Sequence, residues 1–354
     1  MAQERDDMLT LDPELQTIFA KYGRPKPFLP TRETISKFRE ILHKANLRYM
    51  KSPFAVKSLG LDSSPPTWSE TDIQVTVRDG SRISLRVFRP QALPPEGCAV
   101  LVFAHGGGWC MGDLEMDAFT CRLFCKELRV LVFSVGYRLY PDVEFPVPIL
   151  DSYDAVQWVA QNASTYGGNL RKGFIVGGSS GGGTFMSIAA HLARDDKLQP
   201  PITGQYLACP ILGDEYLDSD GSIQHLFPGK YSSQQENWDA PLQDAATKNR
   251  MSEMATFDRK SPLMSPFNFG NHAKLPVAYI QVCGLDPWRD GGFIYRDLVQ
   301  EGGSKAKADV YKGLPHCWWN VYPTINATER WRRDTLRGLK WLLKCGDEGQ
   351  AFKL

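Results

Sequence analysis

The sequence predicts an α/β fold, a mostly parallel sheet with helices on both faces, and three observations carry that reading. Ala99–Ala104 and Val130–Val135 are continuously apolar, the pattern of strands covered on both faces. From Ala99 onward such strand-sized runs alternate with helical patterns, as right-handed βαβ units do. Ile175–Thr184, IVGGSSGGGT, reads as a strand entering a glycine-crowded turn and then a helix.

Residues 1–60 are mostly helical in pattern. Asp12 before Pro13 is a helix start, followed by an apolar face of Leu15, Ile18, Phe19 and Tyr22. Thr31–Thr34 is placed to cap a second helix, whose Ile35, Phe38, Ile41 and Leu42 share a face. Ser63–Pro66 is a linker. Thr71–Val77 and Ile83–Phe88 alternate on either side of Arg78–Ser81, a hairpin that adds antiparallel strands at one edge. After the loop around Pro90, Pro94, Pro95 and Gly97 comes strand Ala99–Ala104, then helix Asp117–Leu128, strand Val130–Val135 and helix Asp151–Gln161. Strand Gly173–Val176, helix Gly181–Arg194 and strand Gln205–Ala208 follow. The polar stretch 212–274, with helical scraps such as Pro241–Phe257, reads as an insertion. Alternation resumes with strand Val277–Cys283, helix Gly292–Glu301, strand Ala308–Tyr311 and helix Ile325–Leu343, which makes eight strands in all.

Within the glycine-rich turn, Gly178–Ser179–Ser180–Gly181–Gly182 fits G-x-S-x-G, the nucleophile elbow of α/β-hydrolases. The central serine sits on a strained turn, and side chains two residues before and after it would collide, so both positions favour glycine. The turn aims the N–H of Gly181 at the point the Ser180 hydroxyl reaches. His105–Gly106–Gly107–Gly108–Trp109 follows a buried strand and fits the HGGG-type loop that completes an oxyanion hole. Gly107, Gly108 and Gly181 are the expected donors, and losing one such donor costs about 3 kcal/mol in the transition state.

A nucleophile needs a base, and the base an orienting carboxylate, in the order Ser, Asp/Glu, His. Of six histidines, that order removes His43 and His105; His191 lies within the elbow helix, and His225 and His272 lie in the insertion. His316, in the loop after the last strand, takes the role of base. Asp286, in the loop after Val277–Cys283, is the preferred acid. Asp290 is second choice, with a cap as its simpler role, and Asp214 and Asp218 are weaker. Trp109, Trp288, Trp318 and Trp319 each follow a motif; Trp109 and Trp318 are expected to line an apolar acyl or alcohol pocket. Cys317 reads as a packing residue.

With these residues in place the chain resembles the hormone-sensitive-lipase-like branch of the α/β-hydrolases, esterase family IV, from about Ala99 to Trp341. His105–Gly108 resembles its HGGG motif. Tyr137–Asp142 with Phe145–Pro146 resembles its Y-R-L-A-P-E…F-P segment. Asp286–Asp290 and Gly313–His316 resemble its acid and histidine loops. The resemblance implies an α/β-hydrolase fold with a helical cap, made here of 1–60 and 212–274, and core parts at 61–211 and 275–354. It maps the triad onto Ser180, Asp286 and His316. It implies hydrolysis of small or medium hydrophobic carboxylic esters through an acyl-enzyme, with no metal or cofactor. It also implies a homodimer formed through the last helix and strand. Two residues depart from the family's G-D-S-A-G-G: Ser179 replaces Asp, and Gly181 replaces Ala.

Composition sets the remaining expectations. Hydrophobic residues at 42% and charged ones at 23% suit a globular protein, and a net charge of +1 gives no sign of a nucleic-acid partner. No run reaches the ~18 apolar residues of a membrane span. MAQERDDMLT has no secretory-signal core, so a cytoplasmic protein with eight reduced cysteines is expected, and the sequons at Asn162 and Asn326 are accidental. Two further readings compete with the esterase. One is a biosynthetic acyltransferase, thioester-releasing enzyme, lyase or cyclase on the same fold. The other is a small-molecule receptor without turnover, against which His316 argues.

Overall fold

The computed structural model describes residues 7–25, 30–213 and 226–351. Asp214, Asp218 and His225 lie outside the described residues. The strands, in chain order, are β1 (Trp68–Thr76), β2 (Arg82–Pro90), β3 (Val100–Ala104), β4 (Leu131–Gly136), β5 (Phe174–Ser179), β6 (Gly204–Ala208), β7 (Val277–Leu285) and β8 (Ala306–Pro315). They form one 8-stranded sheet in the order β1-β2-β4-β3-β5-β6-β7-β8. The opening hairpin supplies the antiparallel edge, and β4 to β8 with β3 are parallel.

Order within the sheet explains how distant motifs meet. Connections from β3 run one way to β4, and later strands run the other way from β5, so β3 and β5 are neighbours with Ala104 opposite Gly178. This is a topological switch point, where open α/β sheets bind ligands at the C-terminal strand ends. At the far side β7 and β8 are neighbours, with Leu285 opposite Pro315, so the acid and histidine loops leave side by side.

The helices are α1 (Pro13–Tyr22), α2 (Ile35–Met50), α3 (Pro53–Ser58), α4 (Ala118–Leu128), α5 (Val147–Asn162), α6 (Gly181–Asp195), α7 (Ser233–Glu236), α8 (Ala245–Ser252), α9 (Arg289–Glu301) and α10 (Asn326–Ala351). Asp12 caps α1 by accepting from the N–H groups of Glu14 and Leu15. Alternate residues of β3 enter opposite halves of the core. Val100, Val102 and Ala104 pack with β4, α5 and α6, while Leu101 and Phe103 pack with α4 and α10. That two-sided burial is why β3 reads as unbroken apolar sequence.

Several elements extend beyond their sequence patterns. β5 continues through Gly177, Gly178 and Ser179, and β8 spans Ala306–Pro315, because ladder hydrogen bonds need no apolar side chain. α5 begins at Val147, with Pro148 in its first turn where a missing N–H costs nothing. Pro241–Phe257 holds only the short α8, preceded by the one-turn α7. Among the described residues, no helix is long and apolar enough to cross a membrane.

Candidate active site

Ser180 follows β5 in the left-handed region, φ 51°, ψ −122°. For a residue with a Cβ this is strained backbone. Two glycines make it possible. A Cβ on Gly178 would meet the Gly182 carbonyl carbon at 2.4 Å, and one on Gly182 would meet the Ala104 oxygen at 2.2 Å. The turn is pinned by the Ser180 N–H, which donates to the Ala208 carbonyl at 2.8 Å.

The three residues expected to form a relay do meet. His316 Nε2 stands 2.8 Å from Ser180 Oγ, and His316 Nδ1 stands 2.7 Å from Asp286 Oδ2. All three are buried, with Asp286 at 1% exposure and His316 at 5%. Burial opposes the imidazolium, but the Asp286 carboxylate beside it outweighs this, and the His316 pKa lies above the ordinary histidine value. The other Asp286 oxygen accepts from the Trp288 N–H at 2.9 Å, which fixes the carboxylate's rotamer.

Asp290 faces elsewhere. Its Oδ2 accepts from the N–H groups of Ser232 and Ser233, each at 2.8 Å, and its Oδ1 pairs with buried Arg289, which also binds Glu236. It fastens the insertion to the acid loop, a capping role on α7. The remaining described histidines are committed too. His43 pairs with Asp113 at 2.6 Å, and His105 lies stacked on Tyr137. His191 sits between Ser187 and His272, where burial pushes its pKa down to about 3.

The loop after β3 turns through Gly107 (φ 116°) and Gly108 (φ 57°). Among the described residues, no acceptor meets the N–H groups of Gly107, Gly108 or Gly181. Gly107 and Gly108 border, with Ser180 and His316, a cavity of about 280 Å³. Its apolar lining comes from Phe38 and Leu42 on α2, from Leu242 and Met251, and from Met111 and Met116.

The two tryptophans expected in the pocket are not in that lining, which corrects the sequence reading of Trp109 and Trp318. Trp318 is fully buried against Tyr311 and Trp319 on the other side of the sheet end, because the chain turns inward after the left-handed Cys317. Trp109 lies under the elbow, and its indole N–H donates to the Gly181 carbonyl at 3.2 Å. A Cβ on Gly181 would come within 2.7 Å of that ring, which is the physical reason for glycine where the family usually has alanine. The tryptophan that does line the cavity is Trp288, packed edge-on to His316 with ring centres 5.1 Å apart.

Sequence reasoning missed Arg39. It reaches from α2 to the carbonyls of Cys110 and Tyr140, at 2.8 and 2.6 Å, and so fastens the first helices to the glycine loop. It also missed Asp117, which read only as a helix start. Its buried carboxylate accepts from the Gly106 N–H at 2.9 Å and from Ser179 Oγ at 2.7 Å. Burial raises its pKa, against the pull of those two hydrogen bonds and of His105. Neither residue belongs to a spacing pattern.

Cys209, Cys283 and Asp286 offer ligand atoms within 4.8 Å of one another. The two sulfurs are 2.9 Å apart. That is closer than two thiolates on one tetrahedral zinc, which stand roughly 3.8 Å apart at Zn–S distances of ~2.3 Å.

Comparison with known proteins places the chain among the α/β-hydrolases. A family model described as alpha/beta hydrolase fold matches residues 101–320. The chain is 30% identical over 308 residues to a versiconal hemiacetal acetate esterase of Dothistroma septosporum, covering 86% of this chain and 91% of that one. It is 34% identical over 241 residues to the esterase LipI of Mycobacterium tuberculosis, covering 66% of this chain and 70% of that one. Among solved structures, vibralactone cyclase superposes with a TM-score of 0.85 at 29% identity, covering 96% of this chain and 97% of that one.

Proposed function

We propose how this chain, which belongs to the alpha/beta hydrolase fold family and is a carboxylester hydrolase, carries out its reaction. Ser180 is the nucleophile, His316 the general base and Asp286 the group that holds the imidazole in the working tautomer. The observation that carries this is the unbroken hydrogen-bonded line from Ser180 Oγ through His316 to Asp286.

The steps follow from the geometry. Ser180 Oγ attacks the ester carbonyl carbon while His316 Nε2 takes its proton. Negative charge moves to the carbonyl oxygen, toward which the N–H groups of Gly107, Gly108 and Gly181 are directed as donors. His316 returns the proton to the departing alcohol as the carbon–oxygen bond breaks, leaving an acyl-enzyme. Water, deprotonated by the same nitrogen, attacks the acyl carbon and releases the acid. The apolar lining favours small or medium hydrophobic esters, and the acetate ester in the name of the Dothistroma relative agrees with a short acyl group.

In this reading 1–60 and 212–274 form the cap over core parts 61–211 and 275–354; supporting it, α2 and α8 border the cavity opposite the strand ends. The protein works in the cytoplasm, where its eight thiols stay reduced, and pairs as a homodimer along β8 and α10, β8 being an edge strand.

The test is Ser180→Ala against a p-nitrophenyl ester series and a fluorophosphonate probe. Expected is a loss of about 10⁶-fold in kcat with no labelling; labelling retained in the variant would overturn the assignment. The likeness to vibralactone cyclase favours one second reading, in which a hydroxyl of the acyl chain itself, instead of water, attacks the acyl-enzyme. Hydrolysis in ¹⁸O-water puts label into the acid product, whereas ring closure leaves the cyclic ester unlabelled.

A further inference from the structure

Asp117 is a buried carboxylate that the proposed reaction does not use. It stands at the N-cap of α4, where an aspartate ordinarily accepts from the first N–H groups of its own helix. It makes no such bond. One oxygen, Oδ2, instead accepts from two partners at the ends of different strands, the Gly106 N–H in the loop after β3 at 2.9 Å and Ser179 Oγ at the end of β5 at 2.7 Å.

Those partners immediately precede the reacting groups. Gly106 leads into Gly107 and Gly108, and Ser179 leads into Ser180 and Gly181. The two are already as close as packing permits, since a Cβ on Gly106 would come within 2.9 Å of Ser179 Oγ. The other end of that same peptide is held as well, by the Tyr137 hydroxyl donating to the His105 carbonyl at 2.7 Å.

We infer that Asp117 and Ser179 form a positioning pair that sets the distance between the oxyanion donors on the β3 loop and the nucleophile on the β5 elbow. The inference rests on the reading of Ser180 and these glycines given above. Donor placement matters because a displacement of about 1 Å costs about 10²-fold in rate. Ser179 then has a use in its own right. A hydroxyl at that position donates to Asp117 without adding charge, whereas an aspartate would set a second carboxylate against the first, and the pair would have to share a proton.

The experiment measures kcat and KM for p-nitrophenyl acetate and Ki for a trifluoromethyl ketone, which adds to the serine and forms an oxyanion. The proteins are the parent, Asp117→Asn, Ser179→Ala, the double variant and Ser180→Ala. Expected for Asp117→Asn is a fall in kcat of about 30-fold with KM within about twofold, and a matching rise in Ki. Ser179→Ala falls about tenfold, and the double variant is no worse than Asp117→Asn, because both act on one contact. A lowered melting temperature with kcat and Ki unchanged would overturn the inference and leave Asp117 a structural residue only. Should Asp117→Asn fail to fold, Ser179→Ala, which removes a single hydroxyl, decides by the same two readouts. Turnover surviving in Ser180→Ala would instead bring down the reading of the nucleophile, a different failure.

Discussion

The floor of the cavity hangs from strand ends, while its roof comes from α2 and the 226–274 segment. On the floor, Gly106, Ser180 and His316 are each held by hydrogen bonds to named partners, and backbone strain at Ser180 is held in place by close packing. On the roof, contact is through apolar side chains: Phe38 and Leu42 on α2, Leu242 in the loop before α8, and Met251 on α8. A transition state tolerates little displacement of charged and donor groups, so the floor is over-determined. Apolar contact is non-directional, so a roof of Met and Leu can change shape without disturbing the chemistry.

This contrast breaks most clearly at the relay. Asp286→Asn should lower kcat by about 10⁴-fold, since an amide N–H opposite Nδ1 favours the wrong imidazole tautomer. It also removes the group that raises the His316 pKa. The base works only when neutral, so activity rises with pH through that pKa. Without the carboxylate the acid limb of the kcat/KM profile moves to lower pH. A limb that stays in place or moves up would show that Asp286 does not govern His316.

The next largest effect tests packing under the elbow. Gly181→Ala restores the residue the family usually carries, but its Cβ would press on Trp109 at 2.7 Å. A loss of about 1–3 kcal/mol is expected in chemical denaturation, as for other overpacked sites. Adding Trp109→Leu should recover part of it. A single variant as stable as the parent would remove Trp109 as the reason for glycine.

The roof should respond in preference more than in rate. Met251 lies over Gly108, where a Cβ would come 2.1 Å from its sulfur. Met251→Ala should shift the kcat/KM ratio between hexanoate and acetate esters toward hexanoate by about tenfold, the scale of one or two methylenes in an apolar pocket. An unchanged ratio would mean that the acyl chain lies elsewhere.

The legible part of this molecule was local. Continuous apolar runs marked the strands buried on both faces, Asp12–Pro13 marked a helix start, and G-x-S-x-G marked a turn that only glycines allow. The order Ser, Asp, His along the chain removed two of six histidines, and the segments holding His191, His225 and His272 left His316. What was illegible was contact between residues distant in sequence. Whether Trp288 or Trp318 faces the cavity depends on which way a loop turns after a strand, and all the motif-adjacent tryptophans read alike.

The sequence by itself therefore determined the sheet, its two covered faces and the residue types at the strand ends, because periodicity and backbone restriction act over a few residues. Only the tertiary structure decided the surroundings of those groups. Sheet order brings β3 beside β5, and with that Asp117 joins Gly106 to Ser179 and Trp109 excludes a side chain at Gly181. Hydrogen bonding and close packing are set by proximity in space, and a carboxylate that leaves its own helix to join a loop after one strand to the end of another has no period in the chain to announce it.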